Sequence, residues 1–257
     1  MDRRKLVLIF AIVLLFLVNY RFIDGALERV FLDDELKFVD RVIDGDTVVM
    51  NGTSVRLLGI NSPERGEEYY LEAKEFLEDL ILNRSVRLEY GAEKYDKYDR
   101  VLGYVFVGGK NVNLELVEEG FANVYLLGYQ KYEKELDDAW EKCLNEEINL
   151  CEKSVDECAG CVVLEEFDYG NQRVAFSNVC GFDCSLEGWE INDEGRKKFV
   201  FEKFVLGGGR EVNVVVGDKE DTEEVLYWKG QTYVWTDSGD SLFLRDEENK
   251  LVLWDSY

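Results

Sequence analysis

Residues 41–64 read RVIDGDTVVMNGTSVRLLGINSPE, and the chain of 257 residues contains no histidine. The block gathers carboxylates, an arginine and a glutamate around one short turn. The missing histidine removes the commonest general base and the commonest transition-metal ligand. A Ser-His-Asp triad, a Cys-His pair and a histidine zinc site are excluded by composition. Hydrolytic chemistry here has to run on carboxylates, guanidinium groups and a hard cation that prefers oxygen.

The elements that position these groups are legible. Val42 to Met50 is rich in β-branched residues, Asn51-Gly52 follows, and Thr53 to Ile60 resumes the pattern. Asn-Gly between two such runs predicts a hairpin, because both positions accept positive φ. Asp46 and Arg56 are thereby expected on paired strands. Asn61, Ser62 and Glu64 follow the second strand. Pro63, the only proline, stiffens the exit and disfavours helix at Ser62. A helix is expected from about Glu64.

IDGDT at 43–47, VRLLGINSPE at 55–64 and DKYDRVLGYVF at 96–106 resemble the thermonuclease (staphylococcal nuclease-like) family in order and spacing. VNLELVEEGFANV at 112–124 resembles a helix that follows in that family. The resemblance covers roughly residues 37–150 and implies an OB-type five-stranded β-barrel with three helices. It implies calcium as cofactor. Asp46 matches a calcium-ligating aspartate, Asn61 stands where a second aspartate ligand is expected, and Ser62 matches a carbonyl donor to the metal. Glu64 matches the base that activates water. Arg56 and Arg100 match the pair that grips the phosphate, and Lys97 and Tyr98 match residues flanking the nucleotide pocket. Tyr125 or Tyr129 could stack on a base.

Those residue types suit the chemistry. Forked guanidiniums and a dication stabilise the charge on a phosphodiester in its transition state. Asn61 offers an oxygen but withdraws one negative charge, so weak calcium affinity is expected.

Three helices are expected in this first domain, over 64–82, 113–119 and 132–147. The last carries Leu136, Ala139, Trp140 and Cys143 on one face. Net charge is −24, so the body repels nucleic acid at long range and only local basic groups attract it.

Arg3, Arg4 and Lys5 precede the apolar run Leu6–Val18. Residues 1–36 read as a signal or anchor segment and linker, either cleaved or retained in the membrane. The bulk of the chain is then extracellular. All six cysteines lie between 143 and 184. In an exported chain they suggest disulfides at the domain junction, 151–161. A four-thiolate zinc site from the first four is the rival, and the pairing stays open.

From 162 to 257 the pattern is short strands between Gly, Asp and Asn turns, as in an all-β sandwich. RVAFSNVCGFDCSLEGWEINDEG at 173–195 and VWTDSGDSLFLRDEENKLVLWDSY at 234–257 resemble the lamin-tail domain, an immunoglobulin-like β-sandwich. Trp189, Trp228, Trp235 and Trp254 are expected in its core. The chain as a whole reads as mainly β with two domains: an exported calcium-dependent endonuclease acting on DNA and RNA, with unstructured or single strands favoured. The alternative is a catalytically weak surface protein that binds nucleic acid or calcium. No protein partner is expected.

Overall fold

A computed structural model describes residues 34–126 and 130–257. The expected signal or anchor segment and Tyr129 lie outside the described residues. Among the described residues no helix is long and apolar enough to cross a membrane.

Strands β1 (Asp34–Val42), β2 (Thr47–Met50) and β3 (Thr53–Leu57) form a meander, followed by the two-residue β4 (Ile60–Asn61). Next come β5 (Ser85–Tyr95), β6 (Val101–Val107), β7 (Lys110–Asn111) and β8 (Asn123–Val124). The sheet order is β3-β2-β1-β5-β6-β7, and β3 also pairs with β6 in parallel, which closes a five-stranded barrel. Alternate residues such as Val39, Val48, Leu57, Leu88 and Val105 fill it.

Three helices cover the barrel: α1 (Tyr70–Ile81), α2 (Val112–Glu118) and α3 (Glu133–Glu146). The α1 helix buries Ala73, Leu77 and Ile81, an apolar stripe at helical spacing. The α2 helix is capped by Asn111, whose side chain accepts from the Asn113 N–H. The expected face of α3 is the buried one. The expected start of the first helix is corrected from Glu64 to Tyr70. Gly66 (φ 97°) and Tyr69 (φ 64°) adopt left-handed backbone, which an α-helix does not admit, so 64–69 forms a turn.

The second domain contains ten strands: β9 (Val162–Asp168), β10 (Arg173–Asn178), β11 (Cys184–Ser185), β12 (Glu190–Asp193), β13 (Lys198–Val200), β14 (Val205–Leu206), β15 (Glu211–Val216), β16 (Val225–Trp228), β17 (Ser241–Arg245) and β18 (Leu251–Ser256). One four-stranded sheet runs β16-β15-β10-β9 and another β13-β12-β17-β18. They enclose one core that holds Phe176, Trp189, Val212, Val214, Trp228 and Trp235.

Trp254 departs from expectation, because it faces the barrel domain instead of this core. Trp140 of α3 meets Phe243 at 5.7 Å and Trp254 at 6.2 Å between ring centroids. Phe243 and Leu251 join the barrel-side core, so the two domains share an apolar seam.

The cysteines pair as Cys143–Cys151, Cys158–Cys184 and Cys161–Cys180, which overturns the zinc alternative. The first bridge ties the junction to α3 and the other two tie it to the second domain. None joins the two domains directly.

Candidate active site

The Asn51-Gly52 turn forms as its sequence predicts, with φ of 46° and 76°. It fixes the register Met50 opposite Thr53 and Thr47 opposite Arg56. Asp46, immediately before β2, is therefore beside Arg56, with Oδ2 3.2 Å from Nη2. Asp46 is only 6% exposed. Its Oδ2 also accepts the Ser62 N–H at 2.8 Å, and its Oδ1 accepts the Thr47 hydroxyl at 3.0 Å. Gly45 makes this approach possible, because a Cβ there would lie 2.6 Å from Ser62 Cβ and 2.9 Å from Ala73 Cβ.

Arg56 also holds the β3–β4 connection. Its Nη1 donates to the carbonyls of Leu57 (2.6 Å) and Ile60 (2.8 Å), and its Nη2 to Asn61 Oδ1 (3.0 Å). The Asn61 amide therefore turns its oxygen to the guanidinium. Its Nδ2 donates to the main-chain carbonyl of Glu194 at 3.1 Å, in the second domain. Glu64 stands exposed on the following turn.

The opposite wall is the β5–β6 turn. Parallel pairing of β3 with β6 sets Arg56 opposite Leu102, two residues past Arg100, and both arginines line one cleft. Asp96 organises this turn, accepting from Tyr98 N–H (2.8 Å), Arg100 N–H (2.9 Å) and Arg100 Nε (2.7 Å). Burial raises the Asp96 pKa, but these hydrogen bonds and the Arg100 charge outweigh it and hold the carboxyl below its ordinary value. Tyr98 is 67% exposed, with Lys97 Nζ 5.0 Å and Arg100 Cζ 5.6 Å from its ring centroid. An exposed ring with cations beside it offers a face on which a planar group can stack.

The two walls bound a cleft of about 820 Å³. Asp46, Arg56, Asn61, Glu64, Lys97, Tyr98 and Arg100 all line it, and so does Tyr125. Ser62 lies behind the cleft surface, 2% exposed, tied to Asp46 by its N–H. A larger hollow of about 1240 Å³ lies across β13, β14 and β16 and contains none of these residues.

Asp44 belongs to the cleft and was not among the expected residues. Its Oδ1 accepts the Asp46 N–H at 3.2 Å, and burial followed by the Asp46 charge pushes its pKa up to about 6. The Asp-x-Asp spacing of IDGDT was the available signal. Among the described residues no group of three or more Asp, Glu, Cys or His side chains is arranged to hold a metal. The local donors are nevertheless all oxygen: two mutually repelling carboxylates and the Asn61 amide oxygen. That set fits a weakly held hard cation.

The second domain also reaches the site. Gly195 lines the cleft, and Arg196 donates to the Asn61 carbonyl and to Asn123 Oδ1. Three buried carboxylates lie behind it. Burial, then Asp240, raises Asp193 to about 7 and Glu194 to about 8, and burial raises Asp240. No local motif flags these residues, since the Arg196–Asn61 contact spans 135 positions of sequence.

A closed barrel with carboxylates on one wall of a cleft and an arginine on each is an arrangement suited to an anion. Comparison with known proteins places the chain in a family. The profile of the family described as "Staphylococcal nuclease homologue" matches residues 54–152. The thermonuclease of Staphylococcus intermedius is 33% identical over 162 residues, 57% of this chain and 96% of that protein. The thermonuclease of Staphylococcus hyicus is 32% identical over 124 residues, 44% of this chain and 73% of that protein. Endonuclease YncB of Bacillus subtilis is 37% identical over 97 residues, 34% of this chain and 46% of that protein. The chain belongs to the staphylococcal nuclease family.

Proposed function

We propose that this chain is an exported, calcium-dependent nuclease that hydrolyses phosphodiester bonds of DNA and RNA, favouring unstructured or single strands. One observation carries the reading: Asp46, Arg56, Glu64 and Arg100 line a single cleft with the exposed Tyr98 at its rim. In the mechanism that fits, Arg56 and Arg100 bind the phosphodiester and stabilise charge as it grows on the non-bridging oxygens. Water loses a proton to Glu64 as it attacks phosphorus, the P–O bond to the leaving oxygen breaks, and that oxygen takes a proton from solvent, giving a phosphate monoester and a hydroxyl. Asp46, Asp44, Asn61 and the Ser62 main chain are the residues that would hold calcium, which supplies positive charge to the phosphate when bound.

Export is supported by three disulfides and the absence of free cysteines among the described residues. The N-terminal segment then serves as signal or membrane anchor. The second domain is read as lamin-tail-like, supported by two four-stranded sheets around one core.

The test is hydrolysis of single-stranded DNA by the purified chain with calcium and with excess chelator. Glu64→Ala is expected to cut turnover by about 100-fold or more at unchanged folding. Full activity in chelator would remove the calcium assignment, and full activity of Glu64→Ala would move the base elsewhere.

A further inference from the structure

The turn between β12 and β13 grips the loop that carries the catalytic glutamate. Arg196 Nη2 donates to the Asn61 carbonyl at 3.1 Å and to Asn123 Oδ1 at 3.0 Å. Its Nη1 pairs with Glu67 Oε2 at 3.0 Å. That same Glu67 oxygen accepts the main-chain N–H of Glu64 at 2.8 Å. Two residues before Arg196, the Glu194 carbonyl accepts Asn61 Nδ2 at 3.1 Å and Asn123 Nδ2 at 3.2 Å. Both ends of the segment 61–67 are thus held from the other domain, with Glu64 between them.

Local physics at position 196 disfavours arginine. Its φ of 67° lies in the left-handed region that favours glycine. Its side chain is 16% exposed, and its Nε is buried without a protein hydrogen-bond partner. Burial pushes the guanidinium below its ordinary range, against the opposing pull of Glu67 and Asp46. Glycine would relieve the backbone, and lysine would place fewer donors in an enclosed space. Only the planar fork of arginine reaches a carbonyl, an amide oxygen and a carboxylate at once. The contacts that Arg196 makes are what offset these local costs.

We propose that Arg196 is a positioning residue of the nuclease site. From the second domain it fixes the 61–67 loop and, through Glu67, the main chain of Glu64. The second domain is then part of the catalytic apparatus as well as any tether. This rests on the nuclease reading of the cleft above.

The test uses the full chain carrying Arg196→Gly or Arg196→Lys, with Glu64→Ala alongside. Turnover is followed on a short single-stranded DNA at saturating calcium. Hydrogen exchange is followed at the amides of Ser62 and Glu64 without substrate. Arg196→Gly is expected to lower kcat about 10- to 100-fold and leave KM within about threefold, as small misplacements of a catalytic group do. Exchange at both amides should quicken, and Arg196→Lys should fall between Gly and wild type on both readouts. A folded Arg196→Gly chain with wild-type kcat and unchanged exchange overturns the proposal. A higher KM at unchanged kcat also overturns it, by making Arg196 a substrate contact. If the Gly variant does not fold, Arg196→Lys decides on the same readouts. If Glu64→Ala is fully active, the catalytic assignment falls separately, and the exchange rates alone decide whether Arg196 restrains the loop.

Discussion

The barrel and the second domain place charge differently. In the barrel Asp46 and Arg56 are largely buried as an ion pair, but Glu64, Lys97 and Arg100 face the solvent-filled cleft, Arg100 a third exposed. In the second domain Asp193, Glu194 and Asp240 are each at most 6% exposed, packed behind the same cleft. Groups in the first set can meet a substrate. Groups in the second set are held where ionisation is costly, and their polar contacts are mostly with main-chain atoms. Under the function proposed above, this is a division of labour in which one domain supplies the reactive side chains and the other supplies restraint.

The largest effect that could break this comparison lies at the seam. Trp140 is 2% exposed and packs on Phe243 and Trp254 of the second domain. Trp140→Ala should cost about 3–5 kcal/mol and lower the melting of both domains together. Calorimetry checks it, and a second-domain transition at its wild-type temperature would show that the two units are energetically separate.

A smaller effect is expected at Asn61, which belongs to both regions. Asn61→Asp adds a negative charge beside Asp46, so calcium should bind more tightly by titration calorimetry. The same change removes the donor to the Glu194 carbonyl and sets a carboxylate against it, which should destabilise the fold by about 1–3 kcal/mol. Tighter calcium at a lower Tm sharpens the comparison. An unchanged Tm would mean that the contact with Glu194 holds nothing.

The smallest effect is in pH dependence. Asp193 has its pKa raised to about 7 by burial and Asp240, against an ordinary value of 3.8. Between those values the folded protein keeps a proton that the unfolded chain releases. This group's contribution therefore falls as pH rises through the window and levels off above it. Asp193→Asn should flatten the decline in Tm from pH 5 to 8, read by thermal melts in constant salt. A decline as steep as in wild type would place the sensitivity elsewhere.

Sequence reading reached the barrel far better than its support. The Asn51-Gly52 turn, the register that brings Asp46 to Arg56 and the buried face of α3 all follow from local rules of φ and periodicity. The start of α1 did not follow, because Tyr69 adopts a left-handed φ that no propensity assigns to tyrosine. Trp254 was legible as a buried aromatic, but which domain it faces depends on packing between distant segments. Arg196 was illegible for the same reason, since its partners are set only when β4, β8 and the β12–β13 turn meet. Asp44 was legible, because it shares the Asp-x-Asp spacing of IDGDT with Asp46.

The disulfides have a consequence for how long the protein works. Cys143–Cys151 closes a separation of only 8 residues, whereas Cys158–Cys184 and Cys161–Cys180 close 26 and 19 in the second domain. In the chain-entropy account longer loops withdraw more freedom from the unfolded state. A reductant would therefore weaken the second domain more than the barrel. Under the proposed role of Arg196, working lifetime in reducing surroundings would then be set by the half of the molecule that lies outside the barrel.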